Sequence, residues 1–472
     1  MTDRILAVGG LDARGQALLE GEYGNMLSCI RCGLCLTSCP TYVLSGHEAE
    51  GPRGRVALAR MLTEGHAPLT PDLVTHEQNC LVCDACTAVC PAGVSMDPLQ
   101  VALRTAIEPH LRDRRPPRVR LLRWIVFRAI FADMRLFRLV VRALWLYQRS
   151  GLQWAVRRSG LLRLLNLDRT EALLPPLGGR FLLPRGERYP AEGRGEATAG
   201  TGEAPVSFFA GCVMSTALAE IDRATIRVLQ RAGHAVRDTA GQGCCGALNA
   251  HGGDLEGMKR LAKRNIAAFE RGGEGAIINN AAGCGAMLKD YAHHFRDDSK
   301  WAERARAFSA RVRDITEFVK PGDLPLRRPI AAAVTYQEPC HLVHAQRISQ
   351  EPRALLRAIP GLELREMAES ALCCGSAGVY NVTNPRESRQ LRDRKLDKAA
   401  ATGADLIVTA NPGCLIQLRS GLVECGGRNA ECGIGTTEVG TRKSERGTGD
   451  GGGAGTMRVR HIVELLDEAS AP

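Results

Sequence analysis

The sequence predicts a multidomain α+β chain: a small helical domain carrying two cysteine blocks, then a duplicated α/β cysteine-rich domain. Three observations predict it. Cys29, Cys32, Cys35 and Cys39 share one spacing with Cys80, Cys83, Cys86 and Cys90. A different cysteine pattern then occurs twice, with corresponding residues 128, 129 and 130 positions apart. Around that pattern, strand-like apolar runs alternate with stretches of helical periodicity, as in α/β units.

The bulk numbers bound the reading. A chain of 472 residues is too long for one ordinary domain, and 44% hydrophobic residues suffice for buried cores. The opening MTDRILAVGG has no charged-then-apolar signal, so its eighteen cysteines are expected to be ligands or redox thiols in the cytoplasm. The formal charge is +11, and residues 111–165 account for it with fourteen Arg against two Asp.

Residues 22–110 form the first expected domain. Each block reads C-x2-C-x2-C-x3-C followed by Pro40 or Pro91, the spacing of bacterial two-cluster ferredoxins. Three cysteines wrap one face of a cubane. The fourth lies too far along the chain to close the same loop and ligates the other cluster. One [4Fe–4S] cluster is therefore assigned to Cys29, Cys32, Cys35 and Cys90. The other is assigned to Cys80, Cys83, Cys86 and Cys39. Each Pro is expected to end its motif helix, and Gly33 and Ala85 leave room for backbone N–H groups near sulfur. Zinc would need two pairs and leaves the third cysteine, the fourth with its Pro, and the repetition unexplained.

Residues 111–204 hold an Arg-rich apolar stretch and then a Pro/Gly-rich linker. Trp124, Trp145 and Trp154 lie in the stretch, and no run reaches the roughly eighteen apolar residues that span a bilayer. It suits a basic amphipathic helix lying on an anionic membrane, or a helix docked on sister subunits. Its apolar, Trp-rich character speaks against nucleic acid.

Residues 205–322 and 328–424 are the two copies of the second pattern. Cys212, the pair Cys244–Cys245, and Cys284 correspond to Cys340, the pair Cys373–Cys374, and Cys414, and each pair continues as CCG. VSFFAGC, AIINNAAGC, AAAVTYQEPC and DLIVTANPGC read as strands ending at a cysteine, while 255–269 and 386–400 have helical periodicity. The thiols then fall at strand ends, where α/β sheets place ligands. Repetition argues against mere packing. A further cluster, zinc and thiol redox chemistry stay open. His251, His341 and His344 lie near these cysteines and are expected to be hydrogen-bond donors rather than ligands. Residues 425–457 are Gly-rich and expected to be a disordered insertion, with Cys425 and Cys432 outside the ligand set. Residues 458–472 read as a C-terminal helix.

The segments CIRCGLCLTSCPTY, GHEAEGPRGRVALARML, CLVCDACTAVCPAGV, GCCGALNAHGG, AAGCGAMLKDYA, CHLVHAQR, LCCGSAGVYNVTNP, IVTANPGC and VRHIVELLDEA span nearly the whole chain. In this order they resemble the iron–sulfur subunit of bacterial glycolate oxidase (glycolate dehydrogenase). That family is related to the iron–sulfur subunits of heterodisulfide reductase and anaerobic glycerol-3-phosphate dehydrogenase. The resemblance implies flavoprotein partner subunits that oxidise glycolate to glyoxylate and hold the flavin. Electrons would pass through the clusters here to a membrane acceptor, quinone, with peripheral contact at the inner face of the membrane. No catalytic residue is expected in this chain. A lactate or glycerol-3-phosphate partner, or a heterodisulfide-reductase-like thiol/disulfide enzyme, is the alternative. In heterodisulfide reductases the full CCG motif ends in a further cysteine. Met287 and Gln417 stand at those positions here, which weighs against a noncubane cluster of that type.

Overall fold

The computed structural model describes residues 10–164, 167–192, 205–426 and 457–472. Cys432 and most of the expected insertion lie outside these residues.

Four helices frame the first domain: Ala13–Glu20, Pro52–Thr63, Pro71–Gln78 and Met96–Arg114. Their starts follow from local chemistry. The Asp12 carboxylate accepts from Gly15 N, and the Thr70 hydroxyl accepts from Leu73 N with Pro71 at the first helical position. Leu19, Met26, Val56, Leu73, Leu99 and Leu103 close the core between them. The cysteine loops sit on this frame. The two motif prolines act differently, which corrects the expectation for Pro40. Helix Pro40–Ser45 begins at Pro40, directly after Cys39, because a proline's missing N–H costs nothing in a first turn. Pro91 does follow a motif helix, Ala85–Val89, which ends at Cys90.

The basic stretch forms helices Pro117–Trp124, Met134–Arg149, Leu152–Arg158 and Leu161–Leu164, with a π-helical turn at Ile125–Ile130. Met134, Phe137 and Val141 recur on one face of the long helix and enter the core of the first cysteine-rich repeat. The opposite face stays in solvent.

Each cysteine-rich repeat is built on a four-stranded parallel sheet. The first contains β1 (Arg188–Tyr189), β2 (Val206–Phe208), β3 (Val236–Asp238), β4 (Ile277–Asn279) and β5 (Val312–Asp314), in the order β1-β3-β2-β4-β5. Only β1 runs antiparallel. The second contains β6 (Ala332–Tyr336), β7 (Leu362–Arg365), β8 (Leu406–Thr409) and β9 (Arg458–His461), in the order β7-β6-β8-β9. Helices Leu255–Arg271 and Pro385–Ala400 cover the two stretches of helical periodicity. One continuous hydrophobic cluster runs from Phe208 and Ile278 to Val334, Ile407 and Val408, joining the two sheets.

The C-terminus departs from expectation. Its first four residues are strand β9, paired in parallel with β8, and only Ile462–Ser470 is helical. Val459 and His461 point into the core while Arg458 is exposed, so the period is that of a strand. The second repeat therefore does not end at 424. Helix Pro412–Gly426 also runs through Cys425 and Gly426, two residues read as insertion. Helix Ile462–Ser470 packs on Ala219–Arg231 of the first repeat, where Arg227 donates to Asp467 Oδ2 at 2.6 Å.

Candidate metal centres and the cavity between the repeats

The sixteen cysteines whose side chains are described are all free thiols. Cys39, Cys80, Cys83 and Cys86 line one cleft with Arg55 and Met96, enclosing about 330 Å³. Their mutual charge effects group the same four: Cys39 raises the pKa values of Cys80, Cys83 and Cys86. Cys35 feels Cys29 and Cys90 in the same way. Cys39 thus lies near Cys80, Cys83 and Cys86, and Cys90 near Cys35, while Cys86 also feels Cys35 of the neighbouring set. Thiols converging on a cleft without disulfide partners are a donor set that fits an iron–sulfur cluster.

The GPRGR segment supplies the cationic surroundings, a role not visible from spacing. Arg55 is 1% exposed and lies 3.9 Å from Cys39 Sγ. It also donates to Thr41 Oγ1 at 3.0 Å, Glu50 O at 2.6 Å and Glu50 Oε2 at 2.7 Å. Burial works against its charge, but Cys80, Cys39, Glu77 and Glu50 outweigh it and hold the guanidinium protonated. Arg53 reaches the other loop and donates to Arg31 O at 3.2 Å. Gly54 has no alternative, because a Cβ there would lie 2.1 Å from Glu48 O.

In the repeats, Cys212 and Cys340 follow β2 and β6, the CC pairs follow β3 and β7, and Cys284 and Cys414 follow β4 and β8. Each thiol sits past the C-terminal end of a parallel strand. Cys284 and Cys414 stand in the first turns of helices Ala282–His294 and Pro412–Gly426 rather than in open turns. The glycine of each CCG is required: Gly246 and Gly375 have φ of +87° and +81°, and a Cβ on Gly375 would lie 2.4 Å from Ser388 O. Cys212 Sγ lies 3.7 Å from Cys244 Sγ, and Cys374 Sγ lies 3.3 Å from Cys414 Sγ. Donation from Cys212 and Cys245 pulls the Cys244 pKa well down, and donation from Cys373 and Cys414 does the same for Cys374.

Both quartets face one cavity of about 1250 Å³ between the repeats. Sequence spacing predicted two quartets but not their shared space. Met287 and Gln417 lie outside it. Met287 is buried in the first repeat's core, and Gln417 donates to Ser388 Oγ at 2.9 Å. His251 and His341 line the cavity with rings nearly parallel and 5.8 Å apart. His341 Nδ1 is 3.9 Å from Cys340 Sγ, whereas His344 Nε2 meets Ala371 O at 3.0 Å, facing backbone rather than thiol.

The first domain meets this cavity directly. Cys83 packs in one cluster with Cys340, Cys373 and Tyr380. Arg347 donates to Ala88 O at 3.0 Å, and Arg104 donates to both Cys80 O and His251 O, at 2.5 and 2.9 Å. Carboxylates gather at the same junction. Burial pushes Asp84 up to about 7. Burial also works to raise Asp97, but His251, His294 and His341 bring it down to about 2. Asp97 Oδ1 lies 3.5 Å from His251 Nε2.

Comparison with known proteins agrees with this geometry. Residues 25–94 match the 4Fe-4S dicluster domain, and residues 206–289 and 334–419 match the cysteine-rich domain. Residues 118–174 match the linker region of the glycolate oxidase iron-sulfur subunit. The probable glycolate oxidase iron-sulfur subunit of Bacillus subtilis (strain 168) is 41% identical over 85% of this chain and 90% of its own length. The glycolate oxidase iron-sulfur subunit of Escherichia coli (strain K12) is 32% identical over 94% and 93%. Lactate utilization protein A of Bacillus thuringiensis (strain Al Hakam) is 31% identical over 45% of this chain and 89% of its own.

Proposed function

The chain belongs to the glycolate oxidase iron–sulfur subunit family, a component of an oxidoreductase complex, and from that premise we propose that it carries electrons from flavoprotein partners to a quinone in the membrane. The partners oxidise glycolate to glyoxylate and hold the flavin. Two [4Fe–4S] clusters, on Cys29, Cys32, Cys35 and Cys90 and on Cys80, Cys83, Cys86 and Cys39, would supply one-electron transfer when bound. The CCG quartets Cys212, Cys244, Cys245, Cys284 and Cys340, Cys373, Cys374, Cys414 hold a further cluster or zinc. The carrying observation is the packing of Cys83 against Cys340 and Cys373, which brings the first domain's thiols to the cavity between the repeats.

The residues around these thiols have definable tasks. Arg55 places buried positive charge beside Cys39 and Cys80 and so favours added negative charge there. Arg104 ties the Cys80 loop to the His251 loop. The basic helices carry exposed Leu121, Trp124, Leu139, Trp154 and Leu164, and we place them against an anionic membrane at the cytoplasmic face. Among the described residues no helix is long and apolar enough to cross a membrane.

Anaerobic purification with iron, sulfide and zinc counts, beside EPR of the glycolate-reduced complex, tests this reading. About eight irons with two interacting cubane signals is the expected minimum. More iron places a cluster at the CCG quartets, and zinc beyond eight irons places zinc there. Zinc without iron refutes the assignment. Reduction of the EPR signals by lactate but not glycolate refutes the substrate.

A further inference from the structure

We propose that the loop at residues 27–34, around the first cysteine block, is the surface on which the flavin-holding partner docks, so that electrons enter the chain beside Cys32. This rests on the chain acting as an electron carrier, and it adds where the donor sits.

The duplication inside the first domain supplies the comparison. Residues 29–39 and 80–90 correspond position by position in their cysteine pattern. Their backbones match as well. Arg31 and Val82 both lie in the left-handed region, at φ of +58° and +50°, and so do Gly33 and Asp84, at +83° and +56°. Their surroundings differ. Leu81 and Ala85 are 4% and 3% exposed, whereas Ile30 and Leu34, in the same places, are 68% and 60% exposed. Cys83 is buried, while Cys32 is the one exposed thiol among the sixteen described. The cover on the second loop is visible. Leu81, Cys83 and Ala85 pack with Cys340, Cys373 and Tyr380 of the second cysteine-rich repeat. One loop thus presses its apolar residues onto a neighbour rich in redox-capable thiols. The other presents the same positions to the outside.

The exposed loop is held ready for a contact. Arg53 donates to Arg31 O at 3.2 Å, and its Nη1 lies so close to Gly33 that a Cβ there would be 2.8 Å away. A shape fixed beforehand loses little freedom on docking. Leu27 is exposed at one end of the loop. Val89 is exposed beside Cys90, whose charge acts on Cys35. The adjacent Ala88 O accepts from Arg347, so the patch runs into the seam already formed between the first domain and the second repeat. An apolar patch continuous with an interface marks a protein contact.

The chemistry selects the occupant. Electron transfer slows steeply with distance, so the donor must come close to a cluster, and Cys32 is where the thiols reach the surface. A lipid surface holds no electron donor, and a second copy of this chain would set like clusters face to face with no source of electrons. Arg31 is the single charge of residues 27–34 and calls for a carboxylate across the contact. The electrons balance. Oxidation of glycolate to glyoxylate on the partner releases two electrons and two protons. The electrons cross singly at this loop and continue to the quinone, and the protons go to water.

Site-specific cross-linking decides the docking face without turnover. Leu34, and separately Ile30, is replaced by p-benzoylphenylalanine in the anaerobically purified, iron-loaded complex, which is then irradiated. Cross-links to the flavoprotein are expected. Cross-links only to a second copy of this chain or to lipid, or none from either position, overturn the proposal. Ile30→Glu with Leu34→Glu, and the milder Leu34→Ser, should slow reduction of the clusters by glycolate, the former roughly tenfold or more. Dithionite should still reduce them, and the iron count should stay at about eight. An unchanged rate of reduction by glycolate in both variants also overturns it. If glycolate fails to reduce the clusters of the wild-type complex, the electron-carrier reading fails, while the cross-link still decides the docking face.

Discussion

Arg55 lies within GPRGR, a segment whose presence the sequence displays and whose task it hides. Only the folded chain brings it back across sixteen positions to within 3.9 Å of Cys39. Its charge sits in a low-dielectric pocket, where the added electron on a nearby cluster gains most from it. Arg55→Met should therefore lower the potential of the cluster on Cys80, Cys83, Cys86 and Cys39. The expected size is on the order of 50–100 mV, the scale of one pairwise charge at an effective dielectric of about 20. Redox titration monitored by EPR reads it, and an unchanged potential would remove Arg55 from electrostatic tuning. The interleaved ligand assignment makes a second residue-scale prediction. Cys90→Ser should damage the cluster on Cys29, Cys32 and Cys35 rather than the one whose loop it follows, and the iron count should fall from about eight toward about four. The eight ligand candidates were legible because thiolate spacing is local chemistry. Arg55, Asp97 and the partnering of His251 were not, because they depend on which loops meet in three dimensions.

At the scale of elements, β9 is the instructive case. Apolar periodicity in VRHIVELLDEA suggests one helix, yet the chain spends its first residues as the last strand of a sheet. The signal was available. RVRDITEF at 311–318 in the first repeat matches RVRHIVEL at 458–465, and both copies fold as strand, capping box and helix. The separation of 147 residues differs from the 128 to 130 of the cysteines, and the Gly-rich stretch between masks the match. His461 stands where the first repeat has Asp314. Its ring caps the last helix by accepting from Val463 N, and its Nε2 meets Asn280 O of the other repeat at 3.0 Å. Burial depresses its pKa to about 4. A histidine depressed in the folded state contributes stability that is complete above the unfolded pKa of about 6.5 and is lost as pH falls toward 4. At pH 5 the loss is about 2 kcal/mol. His461→Asn keeps a capping acceptor without the titration. The gap between wild type and His461→Asn in urea unfolding should therefore shrink by about that amount from pH 7.5 to pH 5. A constant gap would show that His461 does not titrate in this window.

For the whole molecule, the deciding property is where charge and apolar surface coincide. The net charge of +11 comes from one segment, and that segment folds into helices lying on the outside of the first cysteine-rich repeat. Several of its arginines are spent internally: Arg115 and Arg123 pair with Glu108, Arg128 with Asp254, and Arg157 with Glu171. The remaining ones share the surface with Trp154, 66% exposed, and Leu164, 79% exposed. Isolated exposed apolar residues need no explanation, but their concentration in the segment that also carries the net positive charge does. An anionic lipid surface satisfies both halves, each arginine near it contributing about 1 kcal/mol and each inserted Leu about 1.5–3 kcal/mol. The chain should therefore co-sediment with vesicles rich in phosphatidylglycerol and not with pure phosphatidylcholine, and binding should weaken as salt shortens the Debye length. Trp154→Ser with Leu164→Ser should reduce partitioning roughly tenfold or more while leaving the salt dependence intact, since the arginines remain. Brominated lipids should quench tryptophan emission from the wild type. If anionic vesicles neither bind the chain nor quench it, while the flavoprotein partners protect these helices from proteolysis, the basic face is a subunit interface and the membrane is reached elsewhere.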